Sequence, residues 1–121
     1  MIHHMSHEEY VIDVRRQAVA LCSGILDGTI NVIAGCHALR NLRWEVEVEQ
    51  YDEDFFLFAM ISSETETLPT GAERDQWAPA ALAELEPELQ EAIEWALPQA
   101  VVACRSVVQR FGPDGSGSGS A

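Results

Sequence analysis

Lysine is absent from this chain, and its seven basic residues are all arginines. Twenty carboxylates oppose them and give a formal net charge of −13 at pH 7. Such a charge repels the phosphates of nucleic acids and anionic membranes, and it attracts basic proteins over long distances. We therefore expect a basic protein partner, and we expect neither nucleic acid nor membrane as a ligand.

Long apolar runs are also absent. No segment reaches the ~20 apolar residues of a membrane-spanning helix, and the N-terminus lacks the apolar core of a secretory signal. The three cysteines, Cys22, Cys36 and Cys104, are an odd number and form no C-x-x-C pair. They predict buried, reduced thiols, and we therefore expect a cytoplasmic protein.

The length of 121 residues and the hydrophobic fraction of 47% predict one folded domain. We expect residues 1–6 to be a disordered N-terminus or the remnant of a tag. Residues 7–111 are predicted to form a single helical domain, and the Gly/Ser-rich residues 112–121 are predicted to be a flexible tail.

Apolar residues at helical spacing predict a first helix that begins at a capping box of Ser6 and Glu9 and ends near Asp27. Thr29 is placed to cap a second helix, whose last turns contain two arginines. The short joint between these two helices predicts an antiparallel hairpin.

Residues 44–49 alternate between apolar and acidic side chains, which is typical of a strand, but the frayed end of the second helix is an alternative. The apolar run at residues 55–61 fits either a strand or a helix capped by Asp52 or Asp54. We favour the helix because Phe55, Phe58 and Ile61 share one of its faces. The sequence thus predicts a mainly α protein, a small helical bundle with a long central loop and a short β element near residues 44–49.

Prolines divide the C-terminal part of the chain. Pro79 fits the first turn of a short helix that ends near Leu85. Pro87 fits the start of a last helix, which is bent at Pro98 and stopped by Gly112. We therefore expect two helices after the central loop.

The predicted central loop, residues 62–77, contains the carboxylates of Glu64 and Glu66, and later Arg74 and Trp77. Long loops in small domains are commonly functional. A pair of carboxylates suits acid-base chemistry or a hard cation, but this segment has no calcium-binding pattern and no nearby histidine. We include these four residues as binding candidates, and we predict no catalytic residue, no metal and no other cofactor.

Two acidic runs stand out, since residues 45–54 hold six carboxylates and residues 84–94 hold five. Acidic runs are usually solvated surfaces, but they also suit a basic partner. Trp44 and Tyr51 flank the first run and supply the aromatic residues that interfaces favour. The predicted binding surface therefore contains these aromatic residues together with Glu47, Glu49, Asp52 and Asp54.

A sequence pattern, S-E-T-x-x-L-P-x-G-x-x-R-x-x-W, spans residues 63–77 and follows a D-x-D-F element at residues 52–55. With this pattern, residues 28–108 resemble a group of short acidic bacterial proteins of unknown function, and the resemblance implies no activity. In size and charge the chain also resembles immunity proteins, which neutralise a basic toxin.

We predict a non-enzymatic binding protein, most concretely an immunity-type inhibitor whose acidic face covers the basic site of a toxin. Two alternatives remain open. The first is a small carboxylate-based enzyme or metal-binding protein that uses Glu64 and Glu66, and the second is a structural or regulatory subunit. His37 lacks a second ligand at helical spacing, so we interpret it as a histidine on a helix face with no catalytic role.

Overall fold

A computed structural model describes residues 6–49, 51–69 and 76–112, and these residues form four α-helices. They are α1 (His7–Asp27), α2 (Val32–Leu42), α3 (Glu53–Glu64) and α4 (Pro79–Phe111). The predicted helical bundle is confirmed, whereas the described residues contain no strand. Most of the predicted N-terminal segment and Gly/Ser tail lies outside the described residues.

Both ends of α1 follow the local signals in the sequence. The Ser6 hydroxyl accepts a hydrogen bond from the backbone N–H of Glu9, which satisfies one of the free donors of the first turn. Gly28 ends the helix with a φ of 85°, a left-handed conformation that glycine adopts without strain. The predicted first helix is therefore confirmed.

The cap of α2 is Asn31, and the prediction of Thr29 was wrong. The Asn31 side-chain oxygen accepts from the backbone N–H groups of Ile33 at 2.8 Å and Ala34 at 3.3 Å. Thr29 donates to the Asp27 carboxylate instead, through both its backbone N–H and its hydroxyl. These bonds stabilise the charged carboxylate and lower the pKa of Asp27.

Residues 43–47 follow α2 as hydrogen-bonded turns. The segment predicted as a β element is therefore closer to the alternative, the frayed end of the second helix. The backbone N–H groups of Glu45 and Val46 both donate to the carbonyl of Leu42, at 2.9 and 3.1 Å. Glu47 then adopts a φ of 55°, which turns the chain and is incompatible with a strand. Val46 is fully buried while Trp44 is exposed, so the alternating residues do not share one buried face.

The helix predicted for the run at residues 55–61 is confirmed. Asp52 caps α3, because its carboxylate accepts from the backbone N–H of Phe55 at 3.2 Å. Phe55, Phe58 and Ile61 are fully buried, and the two phenyl rings meet edge to face with centroids 5.5 Å apart. Since α3 continues to Glu64, the first three residues of the predicted central loop are helical.

The last part of the chain is one helix, so the predicted break at Pro87 was wrong. α4 contains both Pro87 and Pro98, each of which removes one helical N–H donor. The carbonyl groups that lose their donors belong to Ala83 and Glu94, and both residues are exposed. Water can hydrate these carbonyl groups, which explains why the helix continues.

The core lies between one face of each helix, and α4 contacts the other three. The contribution of α4 is rich in small residues, among them Ala96, Ala100 and Ala103, which let the helix approach its neighbours closely. Leu97, next to Ala96 in the chain, lies off this face and is exposed.

The three cysteines are free and fully buried in this core, as predicted. Burial raises the pKa of Cys36 to about 12. A hydrogen bond with Cys104, together with burial, raises the pKa of Cys22. Neither thiol forms the thiolate that a nucleophile needs at neutral pH.

Candidate interaction surface

Large aromatic side chains are exposed beside one another where the chain passes from α2 to α3. The exposed fractions are 67% for Trp44, 72% for Tyr51 and 50% for Phe56. The rings of Tyr51 and Phe56 lie 6.5 Å apart, and the Arg43 guanidinium lies over the rings of Trp44 at 4.6 Å and Phe56 at 5.7 Å. We call these four residues the aromatic patch.

The aromatic patch continues into an open cleft of about 380 Å³ along α3. Its lining comprises Tyr51, Glu53, Phe56, Leu57 and Met60, and we call it the α3 cleft. The four helical residues follow the spacing i, i+3, i+4, i+7, which places them on one face. α3 thus has one apolar face in the core and a second apolar face open to solvent.

Arg15 of α1 fixes the turn that carries Trp44. Its Nε donates to the backbone carbonyl of Val46 at 2.8 Å, and its Nη2 donates to that of Glu47 at 3.3 Å. The guanidinium also lies 5.0 Å from the centroid of the Phe111 ring. The backbone next to the aromatic patch is therefore attached to α1 as well as to α2.

Three exposed carboxylates, those of Glu45, Glu47 and Glu49, lie on the same turn as Trp44. Glu45 accepts a hydrogen bond from the Tyr10 hydroxyl, and this bond raises the pKa of Tyr10. Glu47 pairs with the imidazole of His7. Two predicted binding residues, Glu47 and Glu49, are thus placed next to Trp44 with their carboxylates accessible to solvent.

The other two predicted acids of this run, Asp52 and Asp54, form ion pairs inside the molecule. Arg110 of α4 donates from Nη2 to Asp52 at 2.7 Å and from Nη1 to Asp54 at 2.9 Å. Ser106 also donates to Asp54, at 2.6 Å. Among the interactions that raise the pKa of Arg110, the hydrogen bond to Asp52 has the largest effect. Because both carboxylates are mostly buried and hold α3 against α4, we leave them out of the interaction surface.

The candidates of the central loop lie elsewhere on the molecule or outside the described residues. Glu64 and Glu66 are exposed. Glu64 lines a second cleft of about 270 Å³, whose other lining residues include Glu88, Glu91 and Trp95 of α4. This cleft shares no lining residue with the α3 cleft.

Arg74 lies outside the described residues, and Trp77, just before α4, is 40% exposed. The binding role of Arg74 therefore stays a prediction. The binding role of Trp77 stays a prediction as well, at a place on the molecule where its side chain is accessible to solvent.

Ser62, which the sequence placed in the loop, is buried inside α3 next to a histidine of α2. His37 Nδ1 and Ser62 Oγ are 2.6 Å apart. A serine hydroxyl beside an imidazole resembles an activated nucleophile, but Ser62 has no exposed surface that a substrate could reach. The pair connects α2 to α3. Within the described ranges, no group of His, Cys, Asp and Glu side chains is arranged to hold a metal ion.

Sequence reasoning missed Phe56 and Arg43. The signal for Phe56 was present, because the run at residues 55–61 is apolar on every side of a helix. A short helix on the outside of a small bundle can bury only one side of such a run, so the other side is left for solvent or a partner.

Comparison of this chain with protein-family models, with curated proteins and with solved structures found no match. No helix in residues 6–49, 51–69 and 76–112 is both long enough and apolar enough to cross a membrane.

Proposed function

We propose that this protein is a non-enzymatic binding protein that receives a basic protein partner at the aromatic patch. The observation that carries the proposal is the side-by-side exposure of Trp44, Tyr51 and Phe56. Tryptophan, tyrosine and arginine are the residues most enriched among those that dominate binding energy, and all three types occur in the patch.

The charges around the aromatic patch support a basic partner. Glu45, Glu47 and Glu49 are exposed on the turn that carries Trp44, and Glu53 lines the α3 cleft. These four carboxylates outnumber the two arginines described beside them, which are Arg43 of the patch and Arg15, bound to the carbonyls of the same turn. The chain as a whole carries a net charge of −13, which steers a cationic protein towards it and raises the association rate.

The position of Arg43 supports the same partner chemistry. Its guanidinium lies over the rings of Trp44 and Phe56, which shows that cations are attracted to the rings of this patch. A partner that presents arginine or lysine side chains would find exposed aromatic side chains, such as Tyr51, and carboxylates together. The most concrete form of the proposal is an immunity-type inhibitor that covers the basic substrate site of a toxin.

Capture of a partner by the immobilised protein tests the proposal. We expect the parent protein to recover a basic protein from a lysate of the source organism. A Trp44→Ser/Tyr51→Ser variant should bind the purified partner at least about 30-fold more weakly, because interface residues of this kind contribute about 2 kcal/mol or more.

The matched control is Val102→Ser, which removes an apolar side chain that is 68% exposed on α4. It should bind the partner as the parent does. Recovery of only acidic or neutral proteins, or equal affinity of the Trp44→Ser/Tyr51→Ser variant and the parent, would contradict the proposal.

A further inference from the structure

The open face of α3 has the geometry of a helix-docking site. Glu53, Phe56, Leu57 and Met60 lie on one face over two helical turns, a length of roughly 10 Å. Phe56 is half exposed, whereas Leu57 and Met60 are partly buried and form the floor of the α3 cleft. Rows of side chains at this spacing receive the ridges of a second helix.

The charges at the N-terminal end of this face decide which helix fits it. Glu53 lies at the N-terminal end of the stripe. Glu49 precedes α3 in the chain, and its backbone carbonyl accepts a hydrogen bond from the N–H of Asp52 at 3.0 Å. A helix with aliphatic residues towards α3 and basic residues at its edge would bury the apolar stripe and pair with these exposed carboxylates.

A second copy of this chain is a poor occupant. Each copy carries a net charge of −13, and self-association through the α3 cleft would bring the exposed carboxylates of both copies together. The charge complementarity therefore points to a different, cationic molecule.

We infer that the partner contacts this protein through a basic amphipathic helix, which lies along the α3 cleft with two turns of aliphatic side chains against Phe56, Leu57 and Met60. This inference rests on the proposed function at the same surface. It adds the conformation and the side-chain pattern of the partner segment, which the affinity for a basic protein alone does not specify.

The probe is a labelled synthetic peptide of leucine and lysine, in which leucines recur at i, i+3, i+4 and i+7. Two comparison peptides isolate its properties. The first has the same composition in an order that does not place leucines on one face, and the second replaces every lysine by glutamate. By fluorescence anisotropy we expect the patterned Leu/Lys peptide to bind at least about tenfold more tightly than either comparison peptide.

Variants of the protein then locate the binding site. Phe56→Ser and Tyr51→Ser remove exposed side chains and should each weaken binding of the patterned peptide about tenfold, without loss of the helical circular dichroism signal. Val102→Ser, at an exposed apolar residue of α4, should bind the peptide like the parent. Equal binding by the parent and Phe56→Ser would overturn the inference, because the peptide would then lie elsewhere.

Two further outcomes would also overturn it. If the patterned and reordered Leu/Lys peptides bind equally, charge alone drives binding, and the proposal of a basic partner still stands on the capture experiment. If sedimentation shows a dimer that Phe56→Ser abolishes, the occupant of the α3 cleft is a second copy. Conversely, the peptide could bind as expected while no basic protein is captured. That result would contradict the proposed function but would still support a helix-binding site at the α3 cleft.

Discussion

At the scale of single residues, Arg110 is the side chain with the clearest structural role. It pairs with Asp52 and Asp54, whose side chains are 12% and 13% exposed. We expect Arg110→Ala to lower the free energy of unfolding by about 2 kcal/mol, because it leaves two mostly buried carboxylates without a cation. The value is below that of a fully buried pair, since the Arg110 side chain is itself 36% exposed and screened by water.

Urea unfolding measures this change. Arg105→Ala is the matched control, because it removes an exposed arginine from the same helix. An unfolding free energy for Arg110→Ala within about 0.5 kcal/mol of the control would contradict the structural role of the ion pairs.

The buried thiols make the fold sensitive to alkaline pH. The pKa of Cys36 is raised from its ordinary value of 9.0 to about 12. Between these two pH values the thiol stays neutral in the folded chain, whereas it ionises in the unfolded chain. Its contribution to stability is therefore complete below pH 9.0 and is lost as the pH rises towards 12.

The expected loss from Cys36 is about 1.4 kcal/mol per pH unit over this range. Cys36→Ala should unfold more easily at neutral pH, but its stability should fall less steeply above pH 9.0 than that of the parent. Denaturant unfolding at a series of pH values gives both slopes, and equal slopes would show that the thiol is not protected from ionisation.

At the scale of helices and turns, two residues before α2, Asn31 and Thr29, are candidates for its N-terminal cap. Asn31→Ala removes the acceptor for two backbone N–H groups and should cost about 1 kcal/mol of stability. Thr29→Ala removes one exposed hydroxyl bond to Asp27 and should cost less. A thermal melt of each variant tests this order, and a larger effect of Thr29→Ala would restore the cap that the sequence suggested.

The turn at residues 43–47 depends on a contact from another helix. Arg15→Gln should remove the hydrogen bonds to the carbonyls of Val46 and Glu47 and cost about 1 kcal/mol of stability. Hydrogen exchange of the Glu45 and Val46 amides should become faster. Affinity for the captured partner should fall although no side chain of the aromatic patch has changed. Unchanged exchange in Arg15→Gln would show that α1 does not fix this turn.

Local signals predicted α1 and α3 well because their caps and apolar spacing act within a few residues. The same signals failed at Pro87 because the cost of a proline depends on whether the freed carbonyl reaches water, which requires the folded surface. They also failed at residues 44–49. An alternating pattern predicts a strand only if a neighbouring strand pairs with it, and the following segment is a helix in the described structure.

The candidate surface could be predicted in part. Trp44, Tyr51, Glu47 and Glu49 followed from aromatic residues beside an acidic run. The sequence could not predict that Asp52 and Asp54 form internal ion pairs instead of joining this surface. Those pairs depend on Arg110, which lies more than fifty residues later in the chain.

At the scale of the whole molecule, the net charge and the ion pairs predict different effects for neighbouring acids. Glu47→Gln/Glu49→Gln should slow association with a basic partner, with the largest difference at low salt, and should leave stability nearly unchanged. Asp52→Asn/Asp54→Asn should instead destabilise the fold, because these carboxylates bind Arg110. Stopped-flow association at several salt concentrations, with urea unfolding alongside, separates the two effects. Equal association rates for the parent and the Glu47→Gln/Glu49→Gln variant would contradict electrostatic steering by this turn.

The central claim is that a basic partner binds at the aromatic patch and the α3 cleft. Hydrogen exchange of the protein with and without its captured partner measures the contact region directly. We expect new protection to concentrate in residues 43–49 and 51–60, with residues 95–102 of α4 unchanged. Protection that appears at residues 95–102 and spares residues 43–60 would contradict the account.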